Sequence, residues 1–423
     1  MSEIYRPRAE AELATLENVQ SSLADWEHNP IGGERHIAYI GEAAAKLIEC
    51  YKPFRDSIEL FIEARRDPDT YYRTHDSPRI KRRAHRPPTK EFAANLIRCG
   101  IQYNLLNLPG GRRFPDGFHS ANDVEEEIKR WYEEEPDDPN EFSKADIFEN
   151  NILRHFINTN IPQRYVGVMI AKYIYGDEFP DEVFSADIGC SQGEGWAQIA
   201  ANLPFDEIGI YSRDEATGLL VPDKQQTMVI NHEINKPLNV GYSLGVDLTQ
   251  PRDAETANWA LSNRRPSELM DRRLMNKDYY LSTVSLPNLA FHLGDATDSA
   301  EVVDIQRAIA KNWPDKPQKP NLITDFTVLY ESSDEEVGVM LQNEAELLAK
   351  NGVILLQEPM EIDLSAPNGL RMYDDFRIPG IYKLIAYWPH QKDRGFEHLA
   401  TYDSGRCKTA IINTELKALY SRN

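Results

Sequence analysis

The sequence predicts an α/β fold, a mainly parallel seven-stranded sheet with helices between its strands, preceded by a helical N-terminal region. Three observations predict it. From about residue 183 onward, short β-rich runs alternate with helix-like stretches, the pattern of successive βαβ units. Before that point the apolar residues recur every three or four positions, and no such strand runs occur. Between the two textures lies the glycine-rich segment Ala186-Asp187-Ile188-Gly189-Cys190-Ser191-Gln192-Gly193-Glu194-Gly195.

The helical region comes first. Leu13, Leu16, Val19, Leu23 and Trp26 share one face of a helix over 9–26, and helices follow over 36–51, 57–66 and 90–107. Residues 67–90, rich in Pro, Asp and Arg, predict a loop, and Pro109-Gly110-Gly111 ends the fourth helix. The acidic stretch 121–150 predicts a short helix and a solvated turn; helices over 145–158 and 162–175 then lead into the glycine-rich segment. Strands are expected over 183–188, 242–247, 289–293, 322–330, 353–358, 382–388 and 407–413, the last two as an antiparallel hairpin at the sheet edge. Helices fit 195–201, 253–262, 300–312 and 334–350. The expected division is therefore 1–160 helical and 161–423 α/β, with an insertion at 203–238.

Composition narrows the function classes. The chain has 423 residues, 41% hydrophobic and 27% charged, ordinary for a globular protein with a sizeable core. Its longest apolar runs, such as 352–356, are strand-sized and far from the ~20 residues of a membrane span. No apolar run follows Met1, so no secretory signal is expected. The four cysteines, at 50, 99, 190 and 407, form no CxxC pair and no Cys/His cluster; reduced thiols, no metal and a cytoplasmic location are expected. The formal charge of −21 repels polyanions, which makes nucleic acid an unfavourable partner. The basic segment 79–86 reads as a solvated connector, since it lacks interleaved aromatic residues for base stacking.

In the glycine-rich segment a strand ends in an acid, Asp187, and a helix begins near Trp196. Glycines there permit a tight turn and close approach of a ligand to the backbone. Gly189, Gly193 and Gly195 are separated by four and then two positions, which does not fit the dinucleotide pattern G-x-G-x-x-G. The order acid, any residue, Gly, any residue, small residue, any residue, Gly resembles motif I of the class I S-adenosylmethionine (SAM)-dependent methyltransferases, with Ser191 at the position usually held by the middle glycine.

The resemblance extends over roughly 160–390. It implies a Rossmann-like SAM-binding domain in which Asp187, Gly189, Cys190, Ser191 and Gly193 form the cofactor turn. It implies an acid at the end of the second strand for the ribose hydroxyls; Gly245-Val246-Asp247-Leu248 offers Asp247, with Leu248 beside it. Asp247 lies sixty positions after Asp187, where about 20 is usual. An insertion holding a β-hairpin over the site, built from Ile208–Tyr211 and Met228–Ile230, accounts for the excess; the rival assignment puts the second strand at 207–211 and the acid at Asp214. After the third strand, Asp295-Ala296 resembles the family's adenine-binding pair. After the fourth, Asp325 and Phe326 are implied near the sulfonium, with Tyr330 and Glu331 farther on. Tyr165, with Arg164, precedes the first strand, where relatives touch the methionine moiety.

The family has no fixed catalytic motif, because SAM is already activated and catalysis is mostly alignment and exclusion of water. No catalytic residue is therefore assigned; His292 is expected as a core histidine, and His155 and His232 are the other histidines within reach. No Asn-Pro-Pro-Tyr-type sequence follows the fourth strand, which disfavours the base- and glutamine-modifying subgroups. The resemblance implies SAM as cofactor, S-adenosylhomocysteine as product and a small-molecule acceptor, with a protein or peptide acceptor and a non-catalytic SAM-binding module as alternatives. Residues 1–160 are expected as a lid or a homodimerisation unit.

Overall fold

A computed structural model describes residues 13–25, 35–66, 89–107, 114–115, 117–134, 142–154, 162–214, 216–248, 254–264, 269, 271–326, 328–329, 332, 334–373, 382–391, 393–404 and 406–420. The segment 79–86, His155, Tyr330 and Glu331 lie outside them.

Among the described residues six helices open the chain: α1 (Leu16–Ala24), α2 (Arg35–Cys50), α3 (Lys52–Arg66), α4 (Lys90–Leu106), α5 (Ala121–Glu133) and α6 (Lys144–Arg154). Their starts follow local chemistry. Thr15, Thr89 and Ser120 each accept a backbone N–H from the first turn of the helix they precede. A 3₁₀ turn (Pro162–Tyr165) and α7 (Val166–Tyr175) lead to β1 (Val183–Ile188). Then come α8 (Glu194–Ala200), β2 (Gly209–Arg213), β3 (Leu220–Pro222), α9 (Lys224–Glu233), β4 (Val240–Asp247), α10 (Ala254–Ser262), α11 (Arg272–Thr283), β5 (Leu289–Leu293), α12 (Glu301–Asn312), β6 (Leu322–Phe326), α13 (Asp334–Leu347), β7 (Val353–Ile362), β8 (Leu370–Met372), β9 (Tyr382–Trp388), β10 (Gly395–Tyr402), β11 (Thr409–Ile412) and α14 (Thr414–Tyr420).

The chain divides into two compact units. The helical unit comprises 9–159 together with 257–277, and the α/β unit comprises 160–256 and 278–423. The expected span 161–423 is thus interrupted. Trp259 of α10 is buried in the core of the helical unit, Asn263 Oδ1 accepts from Cys99 Sγ at 3.0 Å, and the Arg264 carbonyl accepts from Gln102 at 2.8 Å.

In the α/β unit, β5-β4-β1-β6-β7 form a parallel core in that order. One face packs α7 and α9 around Trp196, Phe326 and Tyr382; the other packs α12 and α13 around Ile188, Val302 and Met340. This is the Rossmann-like arrangement expected, but with eleven strands among the described residues rather than seven. Three differences account for the count. β9 pairs antiparallel with β7 and β10, and β11 pairs with β10, so 382–388 and 407–413 do not form one hairpin. β8 folds back on the end of β7.

The third difference is the insertion. Met228–Ile230 lies in α9, not in a strand, because Asp223 caps that helix through the Gln226 N–H and only Ile230 of the three is buried. The hairpin is β2–β3, and β2 pairs parallel with β11 at the far edge of the sheet from β5. The rival assignment of the second strand falls with it: β4, not β2, pairs with β1, and Asp214 turns the β2–β3 hairpin by accepting from Thr217.

Candidate functional site

Strand order locates the site. From β1 the chain proceeds through β4 to β5 on one side, then returns to place β6 on the other side of β1. Such a reversal opens a crevice at the carboxyl ends of the two central strands. Asp187 and Ile188 end β1 there, opposite Thr324 and Asp325 of β6.

Asp187 is buried and held by two hydroxyls. The Tyr165 hydroxyl donates to Oδ1 at 2.9 Å and to Oδ2 at 2.7 Å, and the Thr324 hydroxyl donates to Oδ1 at 2.6 Å. Trp196 Nε1 in turn donates to Thr324 Oγ1 at 3.0 Å. Burial pushes the Asp187 carboxyl up to about 7, against the lowering effect of the Thr324 and Tyr165 hydrogen bonds. Gly195 is small for a reason visible here: a Cβ on it would lie 2.0 Å from the Tyr165 ring.

The turn after Asp187 alternates left-handed residues, with φ of +65° at Gly189, +53° at Ser191 and +64° at Gly193. Ser191 occupies the middle position in the conformation a glycine would prefer, at a cost of about 1 kcal/mol. The turn is pinned to β4. Gly189 N donates to the Val246 carbonyl at 2.8 Å, and Ser191 N donates to Asp247 Oδ2 at 2.8 Å. Cys190 is buried over Gly245, whose added Cβ would meet Cys190 Sγ at 2.7 Å, so its side chain packs the turn onto β4. Asp247 and Leu248 are half-buried at the end of β4.

The third acid follows β5. Gly294 N donates to the Asp247 carbonyl at 3.0 Å, which ties the two strand ends together. Asp295 Oδ1 accepts from Thr297 N and Oγ1 at 3.0 and 2.7 Å, while its Oδ2 is buried with no hydrogen-bond partner among the described residues. An orphaned buried acceptor costs on the order of 1–3 kcal/mol, and a donor from a ligand would remove that cost. Ala296 is buried beside it, and its carbonyl accepts from Asn343 at 2.8 Å.

Asp325 and Phe326 lie on opposite faces of β6. Phe326 packs edge-on against Tyr165 at 5.1 Å between ring centroids. Asp325 is fully buried toward α13. Burial, then the Asp325 charge and a hydrogen bond to Asp325, raise Glu344 of α13 well above the carboxylate range; burial and the same charge raise Glu358 of β7. His292 is half-buried on β5 with Nε2 3.1 Å from Glu301, and His232 lies on α9 in the insertion.

Tyr165 is thus bonded to Asp187, Ser191 N to Asp247, and Gly294, next to Asp295, to the Asp247 carbonyl, all at the carboxyl ends of β1, β4 and β5. Sequence reasoning missed Thr324, Trp196, Glu344 and Glu358. For Glu358 a signal existed, a carboxylate two residues after the apolar run Val353–Leu356; for Thr324 and Trp196 none did, since their role exists only through the β1–β6 pairing. Among the described residues no group of His, Cys, Asp and Glu has the arrangement of a metal site, and no helix is long and apolar enough to cross a membrane.

No protein-family model matches the chain, and no curated protein matches it. Among solved structures it is similar to a S-adenosylmethionine-dependent methyltransferase from Clostridium acetobutylicum ATCC 824, with 10% identity over 63% of this chain and 81% of that one and a TM-score of 0.25. It is also similar to an O-methyltransferase family protein from Burkholderia thailandensis, with 13% identity over 76% of this chain and 82% of that one and a TM-score of 0.24. Both TM-scores are low, and the fold assignment rests on the strand order and the parallel pairings of the core.

Proposed function

We propose that this chain is a class I SAM-dependent methyltransferase acting on a small molecule. The observation that carries the reading is the hydrogen bond from Ser191 N to Asp247 Oδ2, which joins a turn of alternating left-handed residues to the acid of the neighbouring strand. A backbone turn and a half-buried carboxylate held together at a switch point suit a nucleoside whose ribose presents two vicinal hydroxyls. The residues present fit the cofactor. Asp247 would take the ribose hydroxyls, and the orphaned Asp295 Oδ2 would accept the adenine amino group. Asp187, oriented by Tyr165 and Thr324, would meet the methionine ammonium, and Phe326 would face the sulfonium with its ring. SAM, when bound, supplies an activated methyl group; the chain's own part is to orient it and to keep water out. No side chain is assigned as a base. The −21 charge favours a small acceptor over a polyanion, and the four free cysteines suit the cytoplasm.

Calorimetry with SAM, S-adenosylhomocysteine and NADH tests the reading. Micromolar or tighter binding of the first two is expected, with Asp247→Ala and Asp295→Ala each weakening it about tenfold or more. Binding of NADH instead, or no effect of Asp247→Ala, would overturn it.

A further inference from the structure

Glu358 is fully buried in the middle of β7, with β6 between it and the turn that follows β1. Its Oε1 accepts two successive backbone N–H groups, Val328 at 2.5 Å and Leu329 at 2.9 Å. Two donors on one oxygen fix two neighbouring peptide planes, and with them the direction of the Val328 side chain. That side chain lies over Gly189: a Cβ built on Gly189 would sit 2.1 Å from Val328 Cγ2. Val328 is itself buried, so it has little space to withdraw into. A line of contact therefore runs from Glu358 through Val328 to the first residue of the 189–193 turn. Burial and the Asp325 charge push the Glu358 carboxyl well above the ordinary range, so the group occupies this place at an electrostatic cost that an apolar residue would not incur.

We propose that Glu358 is a positioning residue of the cofactor site, which clamps Val328 and Leu329 in place over Gly189 and so sets the 189–193 turn against β4. Its consequence for ligand affinity rests on the SAM reading; the mechanical clamp does not.

The experiment combines amide hydrogen exchange on the ligand-free full chain with calorimetry against S-adenosylhomocysteine, for wild type, Glu358→Gln, Glu358→Leu, Val328→Ala and the double variant Glu358→Leu/Val328→Ala. Glutamine keeps an acceptor oxygen of the same reach, so Glu358→Gln is expected to stay within about threefold of wild type in exchange and affinity. Glu358→Leu keeps bulk but no acceptor. It is expected to speed exchange at Val328, Leu329 and Gly189–Ser191 about tenfold or more, leave Ala186 and Leu244 in the strands protected, and weaken S-adenosylhomocysteine by a similar factor. Val328→Ala is expected to loosen Gly189–Ser191 as well, and the double variant to add little to Glu358→Leu, because both act through one contact. Unchanged exchange at Gly189–Ser191 in Glu358→Leu, fully additive effects in the double variant, or failure of Glu358→Gln to rescue overturns the clamp. Should Glu358→Leu not fold, Val328→Ala decides, since unchanged exchange at Gly189–Ser191 there overturns it equally. If wild type binds no S-adenosylhomocysteine, the cofactor reading falls while the exchange results still judge the clamp.

Discussion

Asp187 sits between two demands. On the proposed reading the cofactor's ammonium needs it charged, and its fully buried position favours it neutral. Its folded value of about 7 against a reference of 3.8 means that the folded chain holds a proton the unfolded chain has released between those limits. The raised value therefore stabilises the fold fully below about pH 4, and that contribution is lost as pH rises through about 7, on the order of a few kcal/mol in all. Ligand affinity runs the other way. Calorimetry is expected to show S-adenosylhomocysteine binding several-fold tighter at about pH 8 than at about pH 6, with the difference abolished in Asp187→Asn. A flat profile in wild type would exclude Asp187 as the ammonium partner.

At the scale of elements, the 189–193 turn spends backbone freedom at Ser191. Ser191→Gly is expected to raise stability by about 0.5–1 kcal/mol, read as a higher denaturant midpoint at unchanged slope, with cofactor affinity within about twofold. A lower midpoint would mean that the Ser191 side chain supplies more than its backbone N–H does. Elements were legible where pattern and burial agree. The span of β1 was read to the residue, because five of its six residues are buried and it leads directly into a glycine turn. β9 was read equally well, with its apolar Leu384, Ile385 and Ala386. β10 was not, since Phe396, Glu397 and His398 give no alternation and the ladder itself shifts between His398 and Ala400. α9 is hidden in the sequence because Met228-Val229-Ile230 carries strand-like residues, two of them exposed, and its start is set by the cap from Asp223. α11 carries Arg, Lys and Asp with little apolar periodicity. In the site, the acids at strand ends could be read from sequence. Thr324, which donates to Asp187, and Trp196, which donates to Thr324, could not, because each is adjacent only after the sheet is assembled.

For the whole molecule, the return of 257–277 to the helical unit decides what can be cut. A chain beginning at Asn160 keeps the complete parallel core but strips Trp259 of its surroundings and Asn263 and Arg264 of their contacts with Cys99 and Gln102. It is expected to aggregate on expression, whereas the same chain with 257–277 replaced by a short polar linker is expected to stay soluble, as judged by size-exclusion chromatography. Equal solubility of the two would show that Trp259 does not depend on the N-terminal helices. The edge of the sheet carries a different consequence, one of timing. β2 lies at the midpoint of the chain, yet its parallel partner β11 follows about two hundred residues later. Until then the β2–β3 hairpin presents an unpaired strand, with Leu219 and Leu220 exposed, to whatever lies nearby. The β2–β11 pairing closes a loop of about two hundred residues, so this edge of the sheet is expected to form late in refolding.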